Sequence, residues 1–261
     1  MPKSQQLNIV SWLDDLNGGG RLPSRIAFLR TTVALTLVLG ISANSVAAQA
    51  PPAQQIADVT PYLIADRTAE VALARSAAPK HVSDSATVLV LTREGFIEAA
   101  RGSNGFTCLV VRSFGAGLDD PAFWNPRGRA PHCLNPPAVR TVLPEILKRT
   151  EWVLSGVSRT EIGTRTRRAY DSGEFPMPAP GAMAYMLSPH QHLSDADPHW
   201  LPHLMFYYDR SLPAAAWGAG GMTAPVIDGS AGTPQSPVLV LFVPVRQWSD
   251  GTAAVGGKSH L

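Results

Sequence analysis

The sequence predicts an α+β fold, a single domain in which a mostly antiparallel sheet is packed by a few helices. Three observations carry this expectation. Apolar, strand-like runs recur at 86–92, in two stretches between 95 and 113, and at 182–188, 204–209 and 237–248. The helical patterns fall early and in the middle, and no connection between the late strands reads as helical, which argues against parallel βαβ crossovers. The part of the chain that reads as mature protein is long enough for one sizeable core and too short to demand two.

Taken in order, residues 61–79, PYLIADRTAEVALARSAAP, predict a helix: Pro61 suits a first helical position, Ala and Leu dominate, and Pro79 closes it. ATVLVLT follows as a strand. GFIEAARGSNGFTCLVVRS reads as a β-hairpin turning at Gly102, Ser103, Asn104 and Gly105, because Asn-Gly is the strongest short turn signal. The stretch 115–136 is rich in Gly and Pro and reads as irregular. NPPAVRTVLPEILKRTEWVLSG predicts helix again, with Asn135 as cap, Pro136 and Pro137 in the first turn and Gly156 as stop. Pro144 should divide it into a short turn of helix and a longer helix over 144–155. The arginines of SRTEIGTRTRRAY (Arg159, Arg165, Arg167, Arg168) read as a solvated loop, with an anion site as the sharper alternative. Pro244 places the last strand on a sheet edge or in a bulge.

The N-terminus has a different character. Basic residues Arg21, Arg25 and Arg30 precede the apolar run TTVALTLVLGISA, and small residues follow up to Ala48. That order predicts a signal peptide with a long leading region over 1–48, a flexible lead-in over 49–60 and the α+β domain over 61–261. Such a short run cannot comfortably span a hydrocarbon core of ~30 Å, so no stable membrane span is expected once the signal is removed. Taking Lys3, Arg21, Arg25, Arg30, Asp14 and Asp15 from the 22 basic and 20 acidic residues leaves 18 of each. A formally neutral domain lacks the basic stripe that nucleic-acid binding demands. Export places the two cysteines, Cys108 and Cys133, in an oxidising compartment, and an even count there predicts a disulfide. It would close a loop of about 26 residues, on the order of 3 kcal/mol in the chain-entropy account.

SPHQHLSDADPHWLPHLMFYY, residues 188–208, holds four of the seven histidines. His190 and His192 share a face if the backbone is extended. His199 and His203 have the i, i+4 spacing of H-E-x-x-H metalloproteases, but Pro202 interrupts the helix and Trp200 stands where the catalytic Glu would be. The metal-ligand candidates are therefore His190, His192, Asp197, His199 and His203, which only a folded loop could gather. The plainer expectation is a rigid connection between strands, stiffened by Pro189, Pro198 and Pro202, with His203 tied by hydrogen bonds where the loop enters the sheet. DGSAG around Ser230 departs from a nucleophile elbow, because Asp228 takes the first glycine position. QWSDGT reads as a turn closing the last strand, and Trp248 and Asp250 are the ligand-facing candidates there.

GSNGFTCLVV, PHLMFYY and VPVRQWSDGT together resemble a group of exported bacterial proteins of unknown function, over most of the mature part. The resemblance implies export and a single domain, and it assigns no catalytic residue, partner or cofactor. The leading expectation is an exported cell-envelope protein, periplasmic or extracellular, that is non-catalytic or binds a small ligand without a cofactor. The alternative is a metal-dependent hydrolase, with an ion such as zinc, centred on the His190–His203 loop.

Overall fold

The computed structural model of the chain describes residues 58–230 and 236–254, all within one compact unit. The export-signal reading of 1–48 and most of the lead-in lie outside the described residues. Eight strands make one sheet. They are β1 (Thr87–Thr92), β2 (Gly95–Ala100), β3 (Thr107–Val111), β4 (Ala130–Leu134), β5 (Met183–Met186), β6 (His203–Asp209), β7 (Ile227–Asp228) and β8 (Val238–Pro244), in the spatial order β2-β1-β3-β4-β5-β6-β8-β7. Every pairing is antiparallel except β1 with β3. The helices are α1 (Arg67–Arg75), α2 (Lys80–Ser83), α3 (Pro136–Thr141), α4 (Leu143–Leu154) and α5 (Arg159–Asp171). The α+β expectation holds, and among the described residues no helix is long and apolar enough to cross a membrane.

Alternation along the strands divides the core into two faces. Val88, Cys108, Val110 and Cys133 point to one face and are covered by Ala74 of α1, Val82 of α2, and Ala77 and Ala78 of the turn between them. Leu109, Val111, Leu134, Ala184, Tyr207 and Val238 point to the other, against Ala138, Val142 and Leu143 of α3 and α4. Cys108 and Cys133 are directly opposed across β3 and β4, fully buried beneath α1, and joined by the expected disulfide.

Several sequence expectations are corrected. The first helix begins late: Pro61 lies in a 3-10 turn (Thr60–Tyr62), and Asp66 caps α1 by accepting from the Thr68 N–H. Pro79 opens α2 instead of closing the helix before it. The hairpin is β1–β2, turning at Arg93 and Glu94 into Gly95 at φ 130, and β2 does not pair with β3. The Gly102–Gly105 turn instead lies against the start of β1. A Cβ at Gly102 would stand 2.2 Å from the Thr87 nitrogen, and Asn104 donates to the Val82 carbonyl. That anchoring leads β3 back alongside β1 in parallel.

Strand β4 lies inside the stretch read as irregular. Pro131 disguised it, and it is tolerated because the ladder to β5 involves only Cys133 and Leu134. The arginine cluster belongs to α5, whose cap is Ser158. Gly163 obscured that helix; Leu118 packs where its Cβ would be. Pro244 ends β8 beyond the two residues that β7 covers, opposite His203, so its position is an exposed flank of an inner strand.

Candidate functional site

Between the α3–α5 face of the sheet and those helices lies a cavity of about 380 Å³. Its floor is sheet: Val111 of β3, His132 of β4, Met186 of β5, His203, Met205 and Tyr207 of β6, and Val240 and Phe242 of β8. These side chains share a face because each pair along a strand is two apart and each cross-strand pair is in register. Cys133 pairs with Tyr185 and Met186 with His203, so His132, Met186 and His203 form one row across three neighbouring strands. The wall is Val142 at the α3–α4 junction, Glu145, Ile146 and Arg149 of α4, and Thr166 and Tyr170 of α5, and the rim is the 113–118 turn, Arg129, His192 and Trp200.

Two imidazoles dominate the floor. His132 Nδ1 is 2.9 Å from the Ala130 carbonyl and His203 Nδ1 is 2.8 Å from the Leu201 carbonyl. A carbonyl only accepts, so each Nδ1 carries the proton, and in the neutral ring each Nε2 is a bare acceptor. Burial pushes both rings down to about 4, against the weaker upward pull of the carbonyls, and for His203 the charge of His132 lowers it further. Both are therefore neutral near pH 7. Trp200 and Phe242 flank His203, with ring centroids 4.6 and 4.9 Å away.

The helical wall carries a second polar group. Tyr170 donates to Glu145 Oε2 at 2.6 Å, and Arg149 lies 3.5 Å from the other oxygen of the same carboxylate. Burial, then the Glu145 charge, pushes the pKa of both the Tyr170 and the Tyr207 hydroxyls well above the usual phenol range, so both remain protonated donors. Arg149 Nε and Thr166 Oγ1 are buried without a hydrogen-bond partner in the protein. A buried donor without an acceptor costs about 1–3 kcal/mol unless water or a ligand supplies one. At the rim, desolvation and the nearby Arg112 lower Arg129 to about 10, so its guanidinium remains charged. It donates to the Pro126 and Gly128 carbonyls.

The sequence-predicted candidates are dispersed. His203 opens β6, as expected, but β6 is an inner strand and the ring faces the cavity. His192 sits at the rim, where its backbone pairs with Arg129 and its Nε2 meets Asp195 Oδ1 at 3.0 Å. The His192, Asn125 and Arg127 contacts together hold the Asp195 carboxyl well below its usual range. His190, Asp197 and His199 are exposed. Asp197 is engaged through its backbone by Ser194. Among the described residues, no three His, Cys, Asp or Glu side chains come together as a group that could hold a metal ion. The five metal candidates are thus not gathered into one site, because the loop turns back on itself through the Leu193 N–H to the Pro198 carbonyl and spends its polar groups locally.

Trp248 and Asp250 close the expected turn, Asp250 accepting from the Thr252 N–H and hydroxyl, but neither lines the cavity. Asp228 likewise accepts from Ser230 N and Oγ in a turn rather than an elbow. Four arginines of α5 face different surroundings: Arg165 pairs with Glu161, and Arg159 lies over Phe123 while donating to the Asp120 carbonyl. His132, Glu145, Arg149 and Tyr170 escaped sequence reasoning. They are isolated in the chain, and only the sheet register and the α4–α5 packing bring them to one space. Comparison of the chain with family models, characterised proteins and solved structures gave no match.

Proposed function

We propose that the protein is an exported small-ligand-binding protein whose ligand occupies the cavity over the β3–β8 face. The observation that carries this reading is the cavity itself: a largely apolar enclosure with a few convergent polar groups is the usual form of a small-molecule site. The ligand class is an apolar-bodied molecule with a polar end. Val142, Ile146, Met205, Val240 and Phe242 would cover the body. Arg149 Nε and Thr166 Oγ1, which have no protein partner, would meet an acceptor on the ligand. Export is supported by the buried Cys108–Cys133 disulfide, since such bonds persist in oxidising compartments.

The test is a fluorescence titration of tag-free protein with 1-anilinonaphthalene-8-sulfonate, an apolar body with an anionic end. One saturable site is expected, weakened at least tenfold by Ile146→Phe, which adds bulk to the cavity wall. Enhancement that does not saturate, or is unchanged in that variant, would overturn the reading. For export, mass spectrometry of protein made in a bacterial host should find a new N-terminus between residues 47 and 51. An intact cytoplasmic chain would overturn it.

A further inference from the structure

The row His132, Met186, His203 has a chemistry that an organic ligand does not require. The two rings flank the thioether on consecutive strands, and all three side chains face the cavity while nearly removed from bulk water. The rings are held alike. Each donates Nδ1–H to the carbonyl of the residue two places before it, Ala130 for His132 and Leu201 for His203. That fixes the tautomer and presents Nε2 as a lone pair. A backbone carbonyl accepting from the far nitrogen is the arrangement by which metal-ligating histidines are oriented. Met205, two residues beyond His203 on the same face, places a second thioether nearby, and Tyr207 donates to its sulfur at 3.6 Å.

We propose that His132, Met186 and His203 form a site for a soft monovalent metal ion, copper(I). Imidazole and thioether are the donors that favour this ion over hard cations. All three ligands are neutral, and the cysteines are committed to their disulfide on the opposite face. Glu145, in the same cavity, is engaged by Tyr170 and Arg149. The cost of placing an ion in a buried apolar floor rises with the square of its charge, so an uncompensated divalent ion is disfavoured far more than a monovalent one. Trp200, tilted against His203 with ring centroids 4.6 Å apart, adds an aromatic ring that attracts a cation and excludes water. This site shares the cavity floor with the proposed organic ligand but does not depend on it.

The experiment is an anaerobic titration of tag-free protein with copper(I), supplied as its acetonitrile complex in competition with bicinchoninate, followed by X-ray absorption at the copper edge. The expected result is one copper(I) per chain with nitrogen and sulfur scatterers. Met186→Leu, a volume-conserving change, should remove or weaken the sulfur signal and lower affinity at least tenfold. His203→Phe should lower it further. The double variant His190→Ala/His199→Ala, on the exposed loop, should bind as the parent does. Failure to take copper(I) from the competitor, a copper site unchanged by Met186→Leu, or loss of binding in the exposed-loop variant would each overturn the proposal. So would zinc(II) binding to the same residues at least as tightly. The dye titration contains no metal, so it can succeed where this one fails.

Discussion

Arg112 Nη2 lies 2.7 Å from Glu70 Oε1, and both side chains are out of solvent. The guanidinium also donates to the Tyr62 and Val110 carbonyls, and the carboxylate accepts from the Leu91 N–H, so the pair ties α1 and the 3-10 turn to β1 and β3. Neither charge has water to fall back on. Glu70→Gln should therefore destabilise the fold by about 3–5 kcal/mol, as breaking a buried pair from one side does. Replacing both, Glu70→Leu with Arg112→Met, should cost less than the single change. Urea unfolding of the three variants checks this, and a double variant worse than Glu70→Gln would show that the pair is not acting as a unit.

The disulfide gives a second expectation. Reduction, or Cys108→Ser with Cys133→Ser, should lower stability by about 2–5 kcal/mol. The strands around it are packed on both faces, so the folded state should survive at room temperature. Thiol labelling under denaturing, non-reducing conditions should find no free cysteine among the two.

Acid should weaken the metal-free protein through the two floor histidines. In the folded state each titrates near 4, against 6.5 for an unperturbed ring. Between those values the unfolded chain binds more protons than the folded one. Stability is thus fully present above about pH 6.5 and is lost as pH falls toward 4, up to about 3 kcal/mol per ring. Urea midpoints measured from pH 7 to pH 4 should fall more steeply for the parent than for His132→Phe. Parallel slopes would contradict the burial of that ring as a neutral group.

Gly102 offers a test of the corrected topology. Because a Cβ there would meet backbone atoms of Ala86 and Thr87 within 2.4 Å, Gly102→Ala should cost roughly 1–3 kcal/mol, the scale of overpacking. In a free Asn-Gly hairpin turn, as the sequence alone suggested, the same change would be nearly silent. Thermal unfolding of the variant separates the two.

Much of the architecture was legible because it depends on near neighbours. Asn135 before two prolines gave the start of α3, Pro144 its separation from α4, and apolar, β-rich runs gave β1, β5, β6 and β8. The pairing of Cys108 with Cys133 was equally a reading of composition and count. Local signals failed where a residue served a distant partner. Pro131 hid β4 because proline disfavours strands in general, and only its place outside the β5 ladder makes it tolerable. Gly163 hid α5 because the need for a small residue comes from Leu118, which lies forty-five positions earlier in the chain.

The amino-acid sequence by itself determined the fold class, the strand-forming runs of β1, β2, β3, β5, β6 and β8, the Asn135 cap of α3 and the cysteine pairing, since each follows from propensity, periodicity or count within a short window. It also placed His203 where the histidine loop enters the sheet. Only the tertiary structure decided that β3 returns parallel to β1, that His132 and His203 stand either side of Met186, and that Tyr170 meets Glu145 across two helices. Those relationships depend on register and packing between segments far apart in the chain. A cavity is the space left between such segments, so no local pattern in the sequence encodes it.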